Sequence, residues 1–170
     1  DKNNQWAVSF GNNAVDFHPV GTDSSDNATG HWFSEYFNIH ENWNTQTALN
    51  SVSLSRYGNE KFNFGIRGSL NQITRLGDER NRISAKRIAS LDILVDYKLG
   101  KNFNFCNIEP YLEAGTGYTW FGNQKSMTMN GGVGINVPLS EKVALTVNSA
   151  YKHALMICKI YKLTFNILLH

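Results

Sequence analysis

The chain has 170 residues, of which 41% are hydrophobic, 12% aromatic and only 18% charged, and its formal net charge is +2. This length suits one domain, and we interpret residues 1–170 as a single domain. The small net charge and the absence of a lysine- and arginine-rich block argue against a nucleic-acid partner. No run of about 18 apolar residues is present, so no transmembrane helix is predicted.

An alternation of apolar and polar residues recurs eight times along the chain. A period of two places successive side chains on opposite faces of a β-strand. The third run is the clearest, because Phe64 and Ile66 alternate with Gly65 and Arg67. The eight predicted strands lie, in chain order, near residues 6–17, 48–57, 62–70, 90–99, 111–120, 126–137, 143–152 and 161–169.

The connections between the predicted strands differ in length. Residues 18–46 and 71–87 are long and polar, whereas residues 58–61 and 138–141 are tight turns. In an up-and-down arrangement both long loops fall on one rim, and the tight turns share the other rim with the two termini. This asymmetry is typical of outer-membrane barrels. The connection at 122–125 is the exception, since it is short but lies on the long-loop rim.

The second face of the strands distinguishes a membrane barrel from a soluble one. The apolar face of a soluble barrel points into its core, whereas that of a membrane barrel points to lipid. Here the second face is mostly Gly, Ser, Asn, Thr and Ala, which suits the narrow interior of eight strands. Ten residues at about 3.3 Å each, tilted by about 40°, span roughly the 25 Å of the apolar band.

We therefore predict an all-β fold, a closed eight-stranded antiparallel up-and-down transmembrane β-barrel. Its first and last strands should pair, because lipid leaves no partner for an open sheet edge. Aromatic residues near the strand ends are typical of interfacial girdles. They are Trp6, Phe17, Tyr57, Phe62, Tyr97, Tyr118, Trp120, Phe121, Tyr151 and Tyr161.

The charges on the second face carry both signs, and an isolated charge inside a barrel would be strongly unfavourable. We therefore expect an interior ion-pair network formed by Arg67, Asp92, Asp96, Glu113, Lys152 and Lys162. Such a network either plugs the lumen or gates a small pore. The plug is favoured because side chains fill the interior of an eight-stranded barrel.

Several stretches resemble the N-terminal barrel of the outer membrane protein A (OmpA) family, in its Bacteroidetes-type form. They are residues 6–17, 52–57, 62–70, 110–122 and 130–136. The resemblance implies an abundant outer-membrane protein with a structural and anchoring role. It often implies a C-terminal periplasmic domain that binds peptidoglycan as well, and we expect no such domain in residues 1–170. We also expect contacts with host or environmental ligands through loops 18–46 and 71–87. We expect a monomer surrounded by outer-membrane lipid.

Enzymatic chemistry is the alternative function. An enzyme that modifies lipid A would use groups such as His153 at the long-loop rim, or Ser24 and Asp26 in the first long loop. No spacing fixes a nucleophile beside an oriented base, so no catalytic residue is assigned and no enzyme is predicted. The acidic residues of loop 18–46 match no calcium loop, so we expect neither metal nor cofactor.

The cysteines Cys106 and Cys158 are predicted at opposite rims, about 25 Å apart. A disulfide requires Cα atoms within about 7 Å. We predict no disulfide between them. A soluble ligand-binding barrel is a third interpretation of the alternation, and it would need no detergent.

Overall fold

The computed structural model describes residues 5–16, 43–46, 48–75, 82–100, 108–155 and 161–169. Within these ranges every regular element is a β-strand. The strands are β1 Trp6–Asp16, β2 Trp43–Thr45, β3 Ser51–Tyr57, β4 Phe62–Arg75, β5 Arg82–Lys98, β6 Glu109–Phe121, β7 Gln124–Pro138, β8 Ala144–Ala154 and β9 Tyr161–Leu169. The described residues include no helix of the length and apolarity needed to cross a membrane.

Eight long strands close into a barrel. Each strand from β3 to β8 pairs antiparallel with the next one, and β1 pairs with β3 on one side and with β9 on the other. The closing ladder runs from Phe10 opposite Leu169 to Asp16 opposite Leu163. The predicted closed eight-stranded fold is confirmed.

The two long loops are shorter than predicted. Residues 71–75 belong to β4 and residues 82–87 to β5, and Asn71 pairs with Ile88 while Ile73 pairs with Lys86. The alternation fades here because polar residues occupy both faces, yet the ladder continues. Part of loop 18–46 is likewise strand, since residues 43–45 form β2. Residues 17–42 and 76–81 lie outside the described chain.

The apolar face of the strands points outward. Phe64 and Ile66 are 53% and 50% exposed, whereas Arg67 beside them is 7% exposed. The same exposed apolar surface continues on β1, β5, β6 and β7, for example at Phe10, Ile93 and Met129. This distribution is the reverse of a soluble barrel, whose apolar side chains would fill the interior.

The predicted aromatic girdle is correct only in part. Trp6, Phe62 and Trp120 are exposed on the outer face near the strand ends. Phe121, in contrast, packs against buried apolar residues inside the barrel. Tyr57 lies opposite Asn63, on the row of the inward-facing side chains, and Lys98 stacks on its ring. Phe17 lies outside the described residues.

Asparagine side chains repair an interruption of the barrel wall. β2 and β3 are two parts of one wall strand, since both pair with β1, and residues 46–50 separate them. There the Asn50 side-chain amide makes the hydrogen bonds that the backbone of a paired strand would make. It donates to the Asn13 carbonyl at 3.0 Å and accepts from the Asn13 N–H at 2.6 Å. Asn71 also donates to the Asn13 carbonyl, at 3.1 Å.

Replacing Asn50 by alanine should therefore destabilise the barrel by about 2 kcal/mol, because the buried Asn13 N–H loses the Asn50 acceptor and the Asn13 carbonyl keeps only the Asn71 donor. Urea unfolding followed by tryptophan fluorescence measures this loss. The control is Leu49→Ala at the neighbouring position, where the side chain is 71% exposed. It should change stability by less than about 0.5 kcal/mol. Equal effects of the two substitutions would contradict the bridging role of Asn50.

Candidate functional site

The first interior ion pair joins non-adjacent strands. Arg67 on β4 and Glu113 on β6 form a two-pronged contact, with Nη1–Oε1 at 3.0 Å and Nη2–Oε2 at 2.7 Å. Both side chains are buried, at 9% and 1% exposure. Two parallel N–H···O bonds fix the orientation of both groups. The Asn148 amide of β8 donates to Glu113 Oε2 at 2.9 Å.

The second ion pair lies nearer the long-loop rim. Lys152 Nζ on β8 lies 2.7 Å from Asp92 Oδ2 on β5, and both side chains are buried. The Asn130 amide of β7 donates to Asp92 Oδ1 at 3.0 Å. Gly117 makes space for this carboxylate, since a Cβ on that residue would collide with Asp92.

The two pairs form a neutral polar layer across the lumen. Each carboxylate receives a cationic donor and an amide donor, and the Ser90 hydroxyl also donates to Asp92 Oδ2 at 3.5 Å. Such partners are required for a charge removed from water. The pairs tie together four of the eight long strands. The layer can therefore hold the barrel walls at a fixed distance.

The other two members of the predicted network behave differently. Asp96 lies opposite Glu113 in the ladder, but neither interior ion pair of the described chain includes it, and its Oδ1 has no hydrogen-bond partner there. Lys162 lies opposite Lys152 in the β8–β9 ladder. The side chain of Lys162 is outside the description.

The space around the ion pairs is small. A cavity of ≈ 10 Å³ lies among Arg67, Glu113, Asp92 and Lys152, which is room for about one water molecule. Toward the long-loop rim an apolar cluster follows, formed by Val15, Ile73, Ile88 and Phe121. The alternation along the chain does not predict this cluster, because it assigns Ile73 to a loop. On β1 and β4 the inward-facing residues change from polar to apolar toward the long-loop rim, and this change is the sequence signal for the cluster.

The rim histidine and its neighbour Lys152 lie on opposite faces of β8. Lys152 is buried in the lumen, whereas His153 is exposed on the opposite face of β8. In the part of the chain that the structure describes, no three His, Cys, Asp or Glu side chains cluster in a way that would hold a metal ion. Ser24, Asp26, Cys106 and Cys158 all lie outside the described residues, so their predicted roles stay predictions.

The fold of the chain is similar to that of two solved outer-membrane proteins. No family model and no curated protein sequence matches the chain. Among solved structures, the attachment invasion locus protein Ail of Yersinia pestis is 7% identical, with a TM-score of 0.56, covering 97% of this chain and 95% of Ail. The outer membrane protein OprG of Pseudomonas aeruginosa is 11% identical, with a TM-score of 0.57, covering 97% and 92%. The chain thus has the fold of eight-stranded outer-membrane barrels.

Proposed function

We propose that this protein is an integral bacterial outer-membrane barrel with a structural and anchoring role, whose lumen is plugged by polar and charged side chains. The observation that carries the proposal is the inverted distribution of side chains. A belt of half-exposed Phe, Ile, Leu, Met and Val surrounds an interior of Arg, Asp, Glu, Lys and Asn. In water such a belt would be an aggregation hazard, whereas in lipid it is the expected exterior.

The closed ladder supports a membrane monomer. Because β1 and β9 pair with each other over Phe10–Asp16, this part of β1 offers no strand edge to a second copy. We place surface contacts with host or environmental ligands in the connections of the long-loop rim, residues 18–46 and the part of 71–87 between β4 and β5. Membership of the OmpA-like family stays a prediction from the sequence.

The folded protein is expected to show heat-modifiable migration. In dodecyl sulfate without boiling, a membrane barrel keeps its strands paired and migrates in the gel at a different position from the boiled, unfolded chain. The control is the same sample unfolded in urea before loading. Migration that is identical before and after boiling, together with solubility without detergent, would contradict the proposal and favour a soluble barrel.

A plugged lumen predicts that vesicles containing the protein do not leak. Among the described residues, two buried ion pairs, an apolar cluster and a cavity of only ≈ 10 Å³ support this expectation. Sugar-driven swelling of loaded vesicles should match that of empty vesicles. Faster swelling would favour the small-pore alternative.

Acyl-transfer and deacylation assays on lipid A, with His153→Ala as the comparison, test the enzyme alternative.

A further inference from the structure

The two rims of the barrel differ in exposed charge. Among side chains that the structure describes, the exposed acidic residues all lie at the tight-turn rim: Glu60, Glu109 and Glu141. At the long-loop rim the described exposed acidic and basic side chains are all cations, namely Lys86, Arg87 and Lys125, whereas Lys61 and Lys142 accompany the acidic residues of the tight-turn rim. Asp16, also near this rim, is buried and lies on β1, across the barrel from β6. Arg87 and Lys125, which lie on the outer face, therefore occupy a surface without described acidic neighbours.

These cations surround a place where the short β6–β7 turn lies beside the longer strand β5, and we call this change in the height of the rim the step. β6 ends at Phe121 and β7 begins at Gln124, so only two residues connect them, and Gly122 adopts the positive φ of 57° that the tight turn requires. β5 continues above this turn to Arg82. The Gly122 N–H donates to the Arg87 carbonyl at 3.2 Å, which joins the low turn to the rising wall of β5.

Arg87 and Lys125 project from the outer face at this step. In the ladder, Ala89 lies opposite Trp120 and Trp120 lies opposite Lys125, so all three are in one row, with Arg87 two residues further up β5. Strand spacing and rise place the Arg87 and Lys125 Cα atoms about 12 Å apart. Side chains of this length can reach a common anionic group between them.

An aromatic and apolar surface begins directly below the cations. Trp120 and Tyr118 lie on the outer face with their ring centroids 4.8 Å apart. Met127, opposite Tyr118, is 52% exposed. Aromatic pairs of this kind mark the headgroup level of a membrane, and the apolar band follows beneath them. The cations thus lie where lipid phosphates lie.

We propose that this step, formed by Arg87, Lys125 and the turn at Gly122, binds the phosphate group of an outer-leaflet lipid. The inference rests on the proposed membrane embedding and extends it to a specific lipid class. A lipid fits better than a nucleic acid or an acidic protein, because the cationic surface is small and adjoins an apolar belt that holds acyl chains. Lys86, whose Nζ lies 5.8 Å from the Phe121 ring centroid, adds to the positive potential.

The test is a titration of the folded barrel in maltoside detergent with dihexanoyl phosphatidic acid. The backbone amide resonance of Gly122 reports binding at the step. Removing both cations in Arg87→Gln/Lys125→Gln should raise the Kd roughly thirtyfold. The matched control, Lys61→Gln/Lys142→Gln, removes the same charge from exposed residues of the tight-turn rim and should leave the Kd unchanged.

Two further titrations separate lipid from other ligands. Dihexanoyl phosphatidylcholine has the same chains without net charge and should bind far more weakly. Inorganic phosphate supplies the charge without the chains and should also bind weakly. Equal binding of either probe, or equal weakening in both double variants, would overturn the inference. Heat-modifiable migration of each variant distinguishes this failure from a failure of the membrane proposal.

Discussion

Replacing Glu113 by leucine is expected to destabilise the barrel by about 3–5 kcal/mol. The substitution leaves the Arg67 guanidinium in the lumen without the carboxylate that receives two of its N–H groups. The Asn148 amide loses its acceptor as well. Urea unfolding in phospholipid vesicles, followed by tryptophan fluorescence, measures the loss.

A second variant separates the buried charge from the lost packing. Arg67→Met/Glu113→Leu removes both charges and should recover most of the stability, because replacing a whole buried pair by apolar residues is often close to neutral. Arg56→Met is the surface control, since Arg56 is exposed and stacks on the Trp6 ring at 5.4 Å. It should cost less than about 1 kcal/mol. If Glu113→Leu costs no more than this control, the lumen is hydrated and the plug proposal is wrong.

An arginine in place of Ile93 is expected to cost about 2–4 kcal/mol if the belt faces lipid. Ile93 is 60% exposed and lies in the middle of the paired segment of β5. In a soluble barrel the same exposed position would accept arginine with a change within about 0.5 kcal/mol. The change in the free energy of unfolding therefore shows whether lipid or water contacts the outer face.

Leu139 provides the matched control for this experiment. It is 61% exposed, nearly the same as Ile93, but it lies in the tight turn between β7 and β8. Leu139→Arg should cost no more than about 1 kcal/mol, as expected near an interface. Unfolding in vesicles of defined thickness measures both variants. Equal costs at the two positions would argue against a lipid-facing belt.

The sequence by itself determined the architecture. A period of two is a local property of the chain, so the alternation of Phe64 and Ile66 with Gly65 and Arg67 predicts both a strand and its two faces. Small residues on the second face predict a narrow polar interior, and the resulting closed barrel agrees with the structure. None of this requires knowledge of which strands meet across the lumen.

Only the tertiary structure decided which interior groups pair. Arg67 and Asp92 lie directly opposite each other on adjacent strands, yet Arg67 binds Glu113 and Asp92 binds Lys152. Asp96, four residues from Asp92 and on the same face, joins neither pair. Contacts across a lumen depend on the tilt and stagger of all the strands together, which no local pattern encodes. The apolar cluster around Ile73 depends on the same closure, because Val15 of β1 and Phe121 of β6 come from strands that are not adjacent to β4. The asparagine bridge at Asn50 depends instead on the register of the neighbouring strands β1 and β3.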